Sequence, residues 1–238
     1  MNQELQEKHV ATIVTEYPKT ADVFRSAGID FCCGGKMPLK EAVEASKYDG
    51  DEIYLAVDEK ISSSNGDSGS IDMKYLSIPS IIDYIQNRYH EDLREELVNL
   101  TPYITKVSRV HGENHPHLIQ VKELFSKLKS ALIEHTDDED RNVFPKIADY
   151  AQNHDYVDDD ALQEALQKLL DDHDGAGNIL KRMRQIADGF QPPQGACGTY
   201  RLVYARLENL EKETFDHVHM ENHVLFERVN DLMKKQSA

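Results

Sequence analysis

Six side chains in this sequence are of types that bind transition metals, and their spacing aims them at one level: His90, His135, Glu139, His173, His217 and Glu221. Each interrupts an apolar stripe. His90 lies three and seven residues before Leu93 and Leu97, His135 follows Leu132 and Leu128 by the same intervals, and His173 follows Leu170 and Leu166 likewise. His217 follows Leu210 by seven. Intervals of three and seven return to one face of an α-helix, so each imidazole lies on the face a helix would bury. Glu139 and Glu221 stand one turn beyond His135 and His217, so each His-x-x-x-Glu pair shares a face. A polar group on a core face must find a partner or costs a few kcal/mol. Four inward imidazoles and two inward carboxylates call for a cation. Six ligands exceed the four of structural zinc, and two metals sharing carboxylate bridges account for the count. Imidazole-rich donors with an open position suit iron that binds a small diatomic ligand.

The elements that would carry these residues are four amphipathic helices beyond Ile78, separated by breakers at Gly112 to Pro116, around Asn153 to Asp160, and from Gly189 to Gly198. Their apolar stripes include Ile82, Ile85, Tyr89 and Leu93; Leu118, Val121, Leu124 and Leu128; Leu162, Leu166 and Leu169; and Leu202, Leu207 and Leu210. Pro102 is expected to kink or break the first. Helix legs between the site residues and the turns are about 20 and 19, 15 and 15, and 15 and 17 residues, so at about 1.5 Å per residue they match within a few ångström. An antiparallel up-down-up-down four-helix bundle with all six ligands in one layer is the expected fold. Strand signals are absent.

The first 60 residues read as a smaller helical unit. Leu5 to Tyr17 has helical spacing, Pro18 stops that helix, another runs through Phe24 to Gly28, and short helices are expected at Leu39 to Ser46 and Ile53 to Glu59. Residues 62–70, small and polar, mark a flexible linker, giving domains 1–60, a linker 61–77 and the bundle 78–238. With 27 basic and 43 acidic residues among 238, the net charge of −16 repels nucleic acid and anionic lipid. No apolar run would span a membrane, and the start lacks a secretory pattern, so the cytoplasm is expected. Three cysteines, two of them adjacent, read as reduced thiols.

Several motifs together resemble the iron-sulfur cluster repair di-iron proteins, the RIC or ScdA/YtfE family, with the ScdA branch of Gram-positive bacteria the nearest in pattern. They are Tyr17-Pro18, Asp22-Val23-Phe24, Gly28 to Gly35 with Cys32-Cys33, His111-Gly112 to His115-Pro116, Ala196 to Thr199, and His217 to Phe226. The resemblance covers nearly the whole chain. It implies an all-α, hemerythrin-like up-down-up-down bundle preceded by a small helical domain. It also implies two non-haem irons with an oxo or hydroxo bridge, in which His90, His135, His173 and His217 are terminal ligands and Glu139 and Glu221 bridge. The implied role is repair of iron-sulfur clusters damaged by nitric oxide or peroxide, by supplying iron; the implied partners are damaged iron-sulfur proteins, NO and O2, and a second copy in a homodimer. Reduction of nitric oxide, or sensing of NO or O2, is the alternative; an iron donor fits better than a classical enzyme.

Cys32 and Cys33, before two glycines and Lys36, are read as thiols that transfer or guard iron or nitric oxide, in a flexible, locally positive setting that would lower a thiol pKa. Cys197, where the fourth helix starts, is expected to pack. His111, His115 and His117 are expected at the bundle end as capping and surface residues. His219 and His223 fall off the ligand face, and are expected either behind the ligands or in solvent.

Overall fold

The computed structural model describes residues 3–64, 73–152 and 158–236. No strand occurs among them; an isolated bridge joins His9 and Pro38. By contacts the chain forms two compact units, one from Met1–Ser77 with Phe215–Ala238 and one from Ile78–Thr214.

In the first unit the expected opening helix is two, α1 (Gln3–Glu7) and α2 (Val10–Glu16). The break at Lys8 and His9 lets the amides of Val10 and Ala11 bond to the carbonyls of Met37 and Gly35, and Leu39 N bond to Lys8 O. Pro18 opens a 3₁₀ turn leading to α3 (Ala21–Ser26), which Gly28 ends at φ +67°, a conformation that glycine adopts without strain. Helices α4 (Leu39–Ala45) and α5 (Gly50–Ser64) follow. Residues 61–64 of the expected linker are thus helical; residues 65–72 of it lie outside the described residues. Val10, Ile13, Phe24, Phe31, Leu39 and Val57 are almost wholly buried and make the core.

The second unit holds the bundle. Its first helix is α6 (Ile78–Ile85), a π-turn (Gln86–His90) and α7 (Glu91–His111). The second is α8 (His117–Asp138), a π-turn (Glu139–Val143) and α9 (Phe144–Gln152). The third is α10 (Asp159–Ile186) and the fourth α11 (Gly198–Met220), which crosses into the first unit, continues as a π-turn (Glu221–Leu225) and ends in α12 (Phe226–Gln236). Residues 153–157 of the expected break lie outside the described residues; Asp158 caps α10 by accepting from the amides of Asp160 and Ala161.

Cross-helix bonds fix the antiparallel order. Arg94 pairs with Asp140 and Lys129 donates to Thr101, His135 meets His173 while Lys168 pairs with Asp138, and Glu96 and Arg88 pair with Arg206 and Glu213. In each set residue numbers rise on one helix as they fall on the other. Arg184 joins the third and fourth helices through Glu211 and Glu208. The exposed ion pairs among them, such as Arg88–Glu213 and Lys168–Asp138, contribute at most about 1 kcal/mol each, so they report register rather than stability. The chain is therefore all-α, with an up-down-up-down four-helix bundle and a small amino-terminal helical region.

Two expected details differ. Pro102 does not break α7, which runs unbroken through it; the Thr101 hydroxyl donates to Leu97 O beside it. Leu202 is 42% exposed, and the buried stripe of α11 runs instead through Tyr200, Val203, Tyr204 and Leu207.

Candidate metal centre

Three of the six expected ligands sit in or beside π-turns. His90 closes the first, Glu139 opens the second and Glu221 opens the third. A π-turn inserts one residue into an α-helix and so steps the buried face along by one position. Pro145, which has no N–H to give the Arg141 carbonyl, follows the second of these turns by two residues.

In the bundle unit His90, His135, Glu139 and His173 are all buried, His90 and Glu139 wholly so. His90 Nε2 and His135 Nε2 stand 3.4 and 3.2 Å from Glu139 Oε2, and His173 Nε2 is 3.8 Å from Oε1. Among the described residues neither carboxylate oxygen of Glu139 accepts a hydrogen bond. A buried carboxylate in that condition is costly unless a cation faces it. His135 Nε2 and His173 Nε2 are 2.8 Å apart. Two imidazoles at right angles on one ion, each about 2.1 Å from it, would have nitrogens about 3.0 Å apart. These residues fit a metal site.

His90 is oriented from behind. Its Nδ1 lies 2.7 Å from Asp140 Oδ1, and Asp140 also receives Arg94 at 2.6 Å and Gln86 at 3.0 Å. Burial works against the charge on Asp140, but the bonds from His90, Arg94 and Gln86 outweigh it and hold the carboxyl at about 2. An ionised carboxylate only accepts, so His90 Nδ1 donates to Asp140 and Nε2 is the ring nitrogen left to face Glu139.

In the other unit His217 and Glu221 are buried on the last helix, with Nε2 2.7 Å from Oε1. The same stretch grips the cysteine loop. His219 Nδ1 donates to Phe31 O at 3.3 Å while its Nε2 meets the Thr15 hydroxyl at 3.1 Å. Burial, and His223 alongside, push the His219 imidazole down to about 4, so the ring is neutral. Cys32 O accepts from Asn222 Nδ2 at 3.1 Å and His223 Nε2 at 2.8 Å. His219 and His223 are thus buried, away from solvent, and spent on backbone carbonyls. Phe31 packs edge-on against Phe215.

The loop is pinned rather than flexible. Asp30 Oδ1 accepts from the amides of Cys32 and Cys33 at 3.1 and 2.9 Å, and a side chain at Gly35 would collide with Phe31 O and Ala11 Cβ. The expected lowering of a thiol pKa is reversed at Cys32: the adjoining Cys33 thiol, burial and Asp30 all push it well up. Cys33 is part-exposed.

At the far end of the bundle Cys197 is exposed and lies 3.3 Å from His111, so it does not pack as expected. His117 bonds the hydroxyls of Tyr200 and Tyr204 at 3.1 and 2.9 Å, a partly buried role rather than a surface one. Sequence reasoning missed Asp140 because it lies in an acidic run, Asp137 to Asp140, that reads as a solvated face; its place directly after an inward glutamate was the available signal.

Comparison with known proteins agrees with this architecture. Residues 82–229 match the hemerythrin HHE cation binding domain, and residues 6–60 match ScdA_N, a domain of unknown function (DUF542). The chain is 47% identical over 222 residues to the iron-sulfur cluster repair protein ScdA of Staphylococcus haemolyticus, covering 93% of this chain and 97% of that one. It is 43% identical to ScdA of Staphylococcus epidermidis, covering 94% and 99%. To the iron-sulfur cluster repair protein YtfE of Pectobacterium atrosepticum it is 27% identical, covering 94% and 96%. With relatives this similar over almost their whole length, and both domain matches in the same order, the chain belongs to the ScdA/YtfE family of iron-sulfur cluster repair proteins.

Proposed function

We propose that His90, His135, Glu139, His173, His217 and Glu221 together hold two non-haem irons, with Glu139 and Glu221 as bridges, and that the chain supplies iron to iron-sulfur clusters damaged by nitrosative or oxidative stress. The observation that carries this reading is the buried Glu139 carboxylate, which accepts no hydrogen bond among the described residues and faces three imidazole nitrogens. Matched helix legs in the sequence bring His217 and Glu221 into the same set. The relatives' names supply the client, a damaged iron-sulfur protein.

Bound iron would supply a Lewis-acidic, redox-active centre with affinity for NO and O2. The chain's own residues give it a dry, imidazole-rich setting: Asp140 fixes the His90 ring, and Leu97, Leu132 and Ile85 exclude water around the ligand-bearing turns. Cys32 and Cys33 act as thiols that receive the outgoing ion. Three free cysteines fit work in the reducing cytoplasm.

Metal analysis of the purified chain should give about two irons per molecule, and Glu139→Ala should lose most of them. Loaded chain mixed with an NO-damaged iron-sulfur protein should restore the cluster's visible absorbance, whereas Glu139→Ala should not. Full iron retention by that variant would remove the ligand assignment, and no recovery with a fully loaded chain would remove the iron-supply role.

A further inference from the structure

The cysteine loop brings three donors together that the histidine and glutamate ligands do not account for. Asp30 Oδ1, Cys32 Sγ and Cys33 Sγ all lie within 4.8 Å of one another. The sulfurs are 3.5 Å apart, and Cys32 Sγ is 3.4 Å from Asp30 Oδ1. A cation about 2.3 Å from both sulfurs would see them at an angle of about 100°, close to the tetrahedral value. We propose that Asp30, Cys32 and Cys33 form a cation site of their own, which takes a thiophilic divalent metal ion through two thiolates and a carboxylate.

The site is built before an ion arrives. Asn222 and His223 donate to the carbonyl of Cys32, His219 donates to that of Phe31, and Asp30 accepts the amides of both cysteines. The backbone that carries both sulfurs is therefore held at four points, and little conformational entropy is lost when an ion binds. Burial of Cys32 at 1% exposure shields one side, while Cys33 is part-exposed and Gly34 exposed. Three protein donors with an open side leave a coordination position for an outside ligand, as in sites that exchange what they hold rather than store it. Each thiol that binds gives its proton to solvent as the metal–sulfur bond forms, and no electrons move. That the physiological ion is ferrous iron in transit rests on the iron-supply reading above; the existence of the site does not.

Cadmium is a suitable probe, because its thiolate complexes absorb in the ultraviolet by sulfur-to-metal charge transfer and its imidazole and carboxylate complexes do not. The full chain carrying Cys197→Ser, freshly reduced, should develop this band on titration and saturate at about one thiolate-bound ion per molecule, with proton release in step. Cys33→Ser, at the part-exposed position, should keep the fold, lose about half of the band and bind at least about tenfold more weakly against a competing chelator. Asp30→Asn should keep the two-thiolate band and weaken binding by about tenfold. Absence of the band in the Cys197→Ser chain, or an unchanged band and affinity in Cys33→Ser, would overturn the proposal. Because cluster repair is not the readout, failure of the iron-supply role leaves this result standing. Conversely, absence of the cadmium band in a Cys197→Ser chain that still binds iron normally refutes the loop site alone.

Discussion

Asp140 makes a specific claim about the metal centre, since it touches His90 on the side away from Glu139. It accepts the Nδ1 proton of His90 and is itself held by Arg94 and Gln86. Asp140→Asn preserves size but removes the charge that makes His90 a stronger donor, and its amide can present N–H where an acceptor is needed. Iron should then bind about 10–100-fold more weakly in chelator competition, with the helical content of the protein unchanged. Equal affinity in the two proteins would show that the Asp140 contact contributes nothing to the site. The burial of the six proposed ligands was legible in the sequence because each is a polar residue at a core interval, and all six are buried. The partners behind them were not. Asp140 ends a run of four acids that reads as a solvated face, and the bonds from His219, Asn222 and His223 to the cysteine loop join positions about 190 residues apart, for which periodicity carries no signal.

Helices, their faces and their turns could be read from periodicity and breakers, but the π-turns could not, because the stripes were read with a single period. Their clearest trace is the five-residue gap from buried Ile85 to buried His90, where three or four is normal. The gap makes Tyr89 and His90 compete for the same stripe in the sequence; the π-turn awards it to His90, which is buried while Tyr89 is only part-buried. Removing one residue from a π-turn returns it to α-helical winding with nearly the same rotation, because five residues of the wider turn and four of the α-helix both sweep a little over one revolution. Deletion of exposed Asn87 should therefore leave a folded protein that melts within a few degrees of the parent. Deletion of exposed Asn99, inside plain α7, rotates Leu93 and Leu97 by about 100° relative to Leu100 and Ile104. Turning even three such side chains out of the core, at about 1.5–3 kcal/mol each, rivals the roughly 5–15 kcal/mol that holds a domain together. Thermal melts of the two deletions decide the matter: equal damage from both would mean that the π-turn is not a one-residue insertion in the bundle's register.

The two ends of the chain meet in one compact unit, which draws on both Met1–Ser77 and Phe215–Ala238. Its core joins residues that the sequence gives no reason to pair: Phe31 rests against Phe215 and His219, α2 packs on the π-turn Glu221–Leu225, and Arg228 donates to the carbonyls of Met73 and Leu76. The consequence concerns a chain cut to begin at Ile78, which keeps every residue proposed to bind iron. That chain also loses the cover over Phe215, Val218 and His219, all buried in the intact protein. Exposing three or four such side chains costs about 5–10 kcal/mol, and a protein of this size melts about 2–4 °C lower for each kcal/mol. The shortened chain should melt more than about 10 °C below the full one, bind a hydrophobic dye, and exchange the amides of residues 215–236 faster while those of α8 and α10 stay protected. Should amides 215–236 exchange as slowly as in the full chain, the last helix would owe its order to the bundle alone. The grip of His219, Asn222 and His223 on the cysteine loop would then serve to hold the loop, not the helix.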